Sequence, residues 1–552
     1  RDVTVDYSTA RGWVPAVRGV SLTLESGQTL GLCGESGCGK STLAMAVLRL
    51  LPKTARIGGQ VLVGGRDVER LSWGELRAVR WSEASIVFQG AMHSLNPVQR
   101  VGDQIAEAIR LHSRAPSGVR RQVGELLQQV ELPARRALAY PHELSGGQKQ
   151  RVMIAMALAC EPNLVIADEP TTALDVVVQA QVLDRFGALV RDRAIGLMMI
   201  SHDLSVLAAT CQRVAVMYDG RIVEEGPAGQ IMADPRHPHA KALAAAFPVV
   251  GDPASRRVPG PATQNGVRDR PGTAGQDGPP GEGVLAAHDL RVTFPVRGGG
   301  TVRAVDGVNL ACRPGEIVAL VGQSGSGKTT LARCLLGLQP PTAGTVSYDG
   351  KPLPTSSRGL RAYRRKVQLV LQDPASALNP RHTVYESVAE GLRIHGLHRT
   401  ADERELVADA LAKAELRPPE RFFPALPHEL SGGQRQRVVI AGALALAPRF
   451  LVADEPVASL DASVRGEILT LLLRLRTDLG LGALVITHDL GLAWNIADRV
   501  LVMYRGRLVE EGPVEQVLLD PVHDYTKLLI SVLPQSVRRL ESTALTGQLD
   551  RD

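Results

Sequence analysis

The chain has 552 residues and a mass of 59.0 kDa, which at roughly 100–200 residues per domain allows three or four domains, or two large ones. Apolar residues make up 44% and charged residues 22%, a soluble globular balance that excludes a disordered, collagen-like or coiled-coil chain. A net charge of +6 is too dilute over this length to indicate nucleic acid, and none is expected as a partner. The six cysteines, at 33, 38, 160, 211, 312 and 334, form no C-x-x-C pair, so free thiols are expected rather than a zinc ribbon or a disulfide framework. No apolar run reaches the roughly 18 residues that span a bilayer, and any membrane role is expected to be peripheral. No signal peptide is read, and since no Met opens the sequence a few residues are expected before Arg1.

In chain order, Leu30-Gly31-Leu32-Cys33 reads as a strand, followed by Gly34-Glu35-Ser36-Gly37-Cys38-Gly39-Lys40-Ser41 and an expected helix. The pattern G-x-x-x-x-G-K-[ST] between strand and helix is a P-loop. Gly34, Gly37 and Gly39 let the backbone wrap phosphates, and successive N–H groups make an anion nest at a helix N-terminus. Ser36 and Thr42 are assigned to the same cradle. Lys40 is expected on the β/γ-phosphates of ATP and Ser41 on Mg²⁺. A more helical stretch runs from about Gly102 to Cys160 and carries Leu144-Ser145-Gly146-Gly147-Gln148. The strand Leu164-Val165-Ile166-Ala167 ends in Asp168-Glu169-Pro170, where the Asp can hold the Mg²⁺ shell and the Glu can polarise the attacking water. His202 follows the strand Leu197-Met198-Met199-Ile200.

Between Gly251 and Gly283, 14 of 33 residues are Gly or Pro. Such a segment buries too little to offset its ordering entropy and reads as a flexible linker, with an r.m.s. span of roughly 30 Å. The same elements then return. Ile317 to Val321 reads as a strand before Gly322-Gln323-Ser324-Gly325-Ser326-Gly327-Lys328-Thr329-Thr330, and a helical stretch from about Thr383 to Ala447 carries Leu430-Ser431-Gly432-Gly433-Gln434. Asp454-Glu455-Pro456 and His488 follow in the same order. An offset of 286 to 288 throughout means tandem duplication of one large domain, since a solenoid repeats every 20–50 residues. Short apolar strands alternating with helices place the chain in the α/β class. The expectation is two P-loop NTPase domains, each a mainly parallel sheet with a helical subdomain. The boundaries are 1–250 and 284–533, with the linker at 251–283 and a poorly ordered polar tail at 534–552.

A five-residue Leu-Ser-Gly-Gly-Gln run between a P-loop and an Asp-Glu-Pro strand end, occurring twice, resembles the signature motif of ABC-type ATPases. The resemblance covers nearly all of both modules. It implies that Ser145, Gly146, Gly147 and Gln148, and Ser431, Gly432, Gly433 and Gln434, contact ATP. It implies Gln89 and Gln372 as Q-loop residues sensing the γ-phosphate and Mg²⁺, His202 and His488 as switch histidines, and Asp175 and Asp461 as D-loop aspartates. Tyr7 and Phe294 resemble the aromatic residue that stacks on adenine. Ser41, Gln89 and Asp168, and Thr329, Gln372 and Asp454, are the implied Mg²⁺ ligands, and Glu169 and Glu455 the catalytic bases.

Two further places resemble the oligopeptide, dipeptide and nickel importer subfamily. Gln372-Asp373-Pro374 with Leu378-Asn379-Pro380 looks like its Q-loop region. The first copy keeps Ser94-Leu95-Asn96-Pro97 but has Gln89-Gly90-Ala91, a departure on the surface where a membrane subunit would dock. His237-Pro238-His239-Ala240-Lys241-Ala242-Leu243 and His523-Asp524-Tyr525-Thr526-Lys527-Leu528-Leu529 resemble the C-terminal H-P-Y-T-x-x-L element. In many relatives a cysteine cluster follows this element. None does here, so no iron–sulfur cluster is expected.

The resemblance implies the ATP-hydrolysing subunit of a peptide-type importer, with two composite ATP sites formed head-to-tail. Its partners would be two integral membrane permease subunits and, through them, an extracytoplasmic substrate-binding protein, with the chain on the cytoplasmic face of the inner membrane. Both copies keep every catalytic element, so two active sites are expected. The rival is a soluble twin ATPase acting on ribosomes, similar to ABC-F proteins, whose linker is typically long, charged and helical rather than Gly/Pro-rich. A DNA-repair ATPase of the superfamily would show zinc cysteines or coiled-coil arms. Dipeptide, oligopeptide, nickel chelate and haem-like cargo all stay open.

Overall fold

The computed structural model describes residues 1–9, 12–88, 94–112, 118–171, 174–257, 283–295, 300–399, 402–458 and 460–533. The chain divides into two compact units, one built on Arg1–Phe247 and the other on Pro248–Leu460 and Val464–Ser531.

The core of the first unit is a six-stranded sheet in the order Arg221–Pro227, Arg213–Tyr218, Thr29–Gly34, Gly196–Ile200, Leu164–Asp168, Ala84–Val87. The five strands from Arg213–Tyr218 onward run parallel, and Arg221–Pro227 is an antiparallel edge. Every residue of Thr29–Gly34 and of Gly196–Ile200 is buried. That is why both read as continuous apolar runs rather than alternating ones, since a parallel sheet is covered on both faces. A separate three-stranded sheet, Gly12–Val20, Val3–Thr9 and Ala55–Gly58, is antiparallel. Its strands stand out poorly in the sequence, because Val3–Thr9 and Ala55–Gly58 are half polar and the apolar run of Gly12–Val20 is largely exposed and interrupted by Pro15.

The second unit repeats this plan. Its six-stranded sheet has the order Val367–Val370, Phe450–Asp454, Gly482–Thr487, Ile317–Val321, Arg499–Tyr504, Arg507–Pro513. Its antiparallel sheet is formed by Thr301–Cys312, Leu285–Pro295, Ala343–Tyr348 and Lys351–Pro352. The helical stretch of the first unit resolves into Val101–His112, Val119–Gln129 and Gly146–Ala157. Val101, Ile105 and Ile109 fall one turn apart and all enter the core, as an apolar stripe at helical spacing requires. The counterparts in the second unit are Val384–Ile394, Glu403–Lys413 and Gly432–Leu444.

The first residues of the expected linker are held within the second unit. Trp494 Nε1 donates to the Asp252 carbonyl and to Ser255 Oγ, both at 3.1 Å. Asn495 Nδ2 donates to the Ser255 carbonyl at 2.6 Å, and the Arg257 N–H donates to the Asn495 carbonyl at 3.0 Å. Arg256 pairs with Glu515 and lies over the Trp494 ring. The remainder of the linker, 258–282, and the tail from 534 lie outside the described residues. Among the described residues no helix is long and apolar enough to cross a membrane.

Candidate active sites

Each P-loop leaves the carboxyl end of a central strand, the place where an open α/β sheet presents a crevice. In the first unit the loop joins Thr29–Gly34 to the helix Lys40–Val47, and in the second it joins Ile317–Val321 to Lys328–Leu335. Two glycines of each loop are sterically required. A Cβ on Gly34 would stand 2.2 Å from the Met217 carbonyl oxygen, and one on Gly322 would stand 2.2 Å from that of Met503. Gly39 and Gly327, with φ of 104° and 110°, press equally close on the carbonyls of Ala16 and Ala304. The neighbouring strands thus fix the curl of each loop. Lys40 Nζ donates to the carbonyls of Gly34 at 2.8 Å and Glu35 at 2.7 Å, and Lys328 Nζ to those of Gly322 at 2.6 Å and Gln323 at 2.8 Å. Ser36, Gly37, Ser324 and Gly325, at the loop tips, are exposed. Ser41, Thr42, Thr329 and Thr330 lie in the first turn of the following helices.

Asp168 and Asp454 end the strands Leu164–Asp168 and Phe450–Asp454. Thr329 Oγ1 donates to Asp454 Oδ2 at 3.1 Å. Burial pushes both aspartates above the usual carboxylate range, against the hydrogen bonds from Ser41 and Thr329 and the charges of Lys40 and Lys328. Asp168 Oδ1 is buried without a hydrogen-bond partner.

The next residue turns sharply. Glu169 and Glu455 sit at φ of 46° and 47°, a conformation non-glycine residues seldom adopt. Their N–H groups donate to the carbonyls of Ile200 and Ile486, both at 2.9 Å. This places each carboxylate beside the histidine of the adjacent strand end. Glu169 Oε1 and His202 Nδ1 share a hydrogen bond of 3.1 Å, and Glu455 Oε1 and His488 Nδ1 one of 2.8 Å. Burial pushes Glu455 up, but the hydrogen bond and charge of His488 outweigh it and hold the carboxyl below its ordinary value. For His488 burial lowers the pKa and the Glu455 bond raises it, with a net upward shift. The residue after each histidine opens the next helix. Asp203 and Asp489 cap the helices Leu204–Thr210 and Leu490–Ile496, accepting from the Ser205 and Leu492 N–H groups.

Gln372 Nε2 donates to Glu455 Oε2 at 2.9 Å, so the second site gathers lysine, threonine, two carboxylates, glutamine and histidine. Gln89, the matching residue of the first half, lies outside the described residues. Tyr7 packs against the first core with its hydroxyl 3.3 Å from Thr42 Oγ1, which ties it to the P-loop helix. Phe294 is exposed near the end of Leu285–Pro295.

The signature residues form a separate group. Ser145 and Ser431 cap the helices Gly146–Ala157 and Gly432–Leu444, each exchanging hydrogen bonds with the glutamine three residues on in a capping box. The capping box uses the N–H groups of Ser145 and Gln148, and of Ser431 and Gln434, and leaves the intervening glycines in the first turn. The second signature glycine also has a packing role that the motif alone does not disclose. A Cβ on Gly147 would meet Val178 Cγ1 at 2.5 Å, and one on Gly433 would meet Val464 Cγ1 at 2.4 Å. Val178 belongs to the helix Val176–Asp192, which Asp175 caps through the Val178 N–H. Asp461 immediately precedes the corresponding helix, Ala462–Leu479.

The ABC transporter family model matches residues 17–172 and again 305–458. The C-terminal region of oligopeptide/dipeptide transporters matches 223–272 and 509–550. The glutathione import ATP-binding protein GsiA of Escherichia coli K12 is 42% identical over 94% of this chain and 87% of its own length. The GsiA of Salmonella choleraesuis is also 42% identical, over the same shares. Among solved structures, the archaeal ribosome recycling factor aABCE1, in complex with a ribosomal stalk protein, superposes with a TM-score of 0.58. That likeness covers 92% of this chain and 90% of the other at 18% identity, and it shows a shared fold. Duplicated P-loop domains, the family matches in both halves and the full-length likeness to import ATP-binding proteins together establish that this chain belongs to the ABC transporter family, as a fused pair of ATPase domains of the oligopeptide/dipeptide import type.

Proposed function

We propose that both halves hydrolyse Mg²⁺-bound ATP and that the chain, docked peripherally on membrane permease subunits at the cytoplasmic face, uses this to drive import of a peptide-class cargo. The observation that carries the reading is the doubled Glu–His pair behind a P-loop, Glu169 with His202 and Glu455 with His488, at 3.1 and 2.8 Å.

The lysines that grip their own loop carbonyls are poised to transfer to the β- and γ-phosphates, while the loop N–H groups hold the remaining oxygens. Ser41 with Asp168, and Thr329 with Asp454, are hard oxygen donors that suit Mg²⁺, and the unpartnered Oδ1 of Asp168 has a lone pair directed at no other group. When bound, the ion neutralises charge on the transferring phosphoryl group. Glu169 and Glu455 accept the hydrogen bond of the attacking water. His488 holds one oxygen of Glu455 and Gln372 the other, so the carboxylate cannot rotate away. The signature residues, Tyr7 and Phe294 are assigned to ATP binding, and Asp175 and Asp461 to the D-loop.

The relatives named for glutathione import support a short peptide as cargo, and glutathione is the first to test. Tagged full-length chain isolated from detergent-solubilised membranes should bring two permease subunits with it, and cells lacking the chain should lose uptake of labelled glutathione or another short peptide. Recovery with ribosomes and without permeases would overturn the reading.

A further inference from the structure

The C-terminal element of each half makes a contact that the catalytic account does not use. Its first histidine acts as a cap. His237 Nδ1 accepts from the His239 N–H at 3.1 Å, and His523 Nδ1 from the Tyr525 N–H at 3.0 Å. A glutamate of the preceding edge strand anchors each cap. Glu224 accepts the His237 N–H at 2.7 Å, and Glu510 accepts those of Val522 at 2.8 Å and His523 at 3.1 Å. The cap turns the third residue of the element inward, against the strand that supports the P-loop. His239 lies 4.3 Å from the ring of Tyr218, and Tyr525 stacks 4.2 Å from the ring of Tyr504. Tyr218 and Tyr504 directly follow Met217 and Met503, whose carbonyls crowd Gly34 and Gly322.

In the second half this ends on the loop itself. The Gln323 N–H donates to the Tyr525 hydroxyl at 2.9 Å, and the Gln323 carbonyl is one of the two that hold Lys328. The Gly322–Gln323 peptide unit is thus held at both ends, its carbonyl by Lys328 and its N–H by Tyr525. In the first half the matching loop residue is Glu35, whose carbonyl holds Lys40 at 2.7 Å. The matching aromatic is His239, whose Nε2 is buried without a partner. The first loop therefore lacks the hydroxyl clamp that Tyr525 gives the second.

We propose that the third residue of this element is a positioning residue for the P-loop, and that Tyr525 against His239 makes the two nucleotide sites unequal, the one carrying Lys328 being the better preorganised. The inference rests on the reading that both P-loops bind ATP. A hydroxyl that fixes the loop before nucleotide arrives removes ordering cost from binding, and one such hydrogen bond corresponds to a roughly 3- to 10-fold effect on affinity.

The test uses the full chain carrying Glu169→Gln and Glu455→Gln, with titration of Mg-ATP by calorimetry. The parent should bind two ATP with unequal affinities. Tyr525→Phe should weaken the tighter site roughly 3- to 10-fold, leaving the other site and the nucleotide-free melting temperature unchanged. His239→Tyr should tighten the weaker site by a similar factor, and the two effects should add. Isotherms identical to the parent in both variants, or a lower melting temperature with unchanged affinity, would overturn the inference while leaving the ATPase reading intact. A parent that binds no ATP would overturn both.

Discussion

At the residue scale, the chemistry depends on two tight backbone features, and the sequence disclosed them unequally. The P-loop lysines, the Asp-Glu pairs and the histidines were legible, because each follows a continuous apolar strand and strand ends are where such groups converge. The left-handed backbone of Glu169 and Glu455, which turns the carboxylates toward His202 and His488, was not. It is fixed by a hydrogen bond to a neighbouring strand, which no local pattern encodes. The second signature glycine is the other case. Its sequence context suggests phosphate contact alone, yet a methyl group on Gly433 would overlap Val464. Gly433→Ala is expected to destabilise the second unit by about 1–3 kcal/mol in denaturant unfolding, as overpacking does. Val464→Ala in the same chain should restore most of that loss. A double variant as unstable as the single one would assign the cost elsewhere.

At the scale of elements, the expected strands coincide with observed ones because parallel strands buried on both faces leave unbroken apolar runs. Ile317–Val321 is reproduced residue for residue. The half-polar antiparallel sheets left no comparable trace. The linker shows a different limit of composition. Gly251 to Gly283 is rich in Gly and Pro, yet its first residues are gathered by Trp494, Asn495 and Glu515, three positions more than 200 residues away in sequence. Arg256 joins three groups, through the Glu515 ion pair, the Ala497 carbonyl and the Trp494 ring. Arg256→Ala should lower the stability of the second unit by about 1–2 kcal/mol, measured by unfolding of the full chain, with the Trp494 fluorescence shifted. Unchanged stability would show that the strap adds nothing to the fold.

At the scale of the whole molecule, duplication explains why so much could be read without a structure. Each motif occurs twice at a near-constant offset, so each copy tests the other. The copies are not equivalent in detail, and two of the differences fall on the C-terminal element, where His239 stands in place of Tyr525, and on the segment after Gln89. Both halves are expected to be catalytic, with affinity for ATP residing in the phosphate cradle and turnover residing in Glu169 and Glu455. The most direct measurement is phosphate release, alongside ATP binding, by the full chain carrying Glu169→Gln and Glu455→Gln. Turnover should fall by roughly 100-fold or more, with two ATP still bound. Turnover within a few-fold of the unsubstituted chain, or loss of ATP binding with the fold intact, would contradict this assignment.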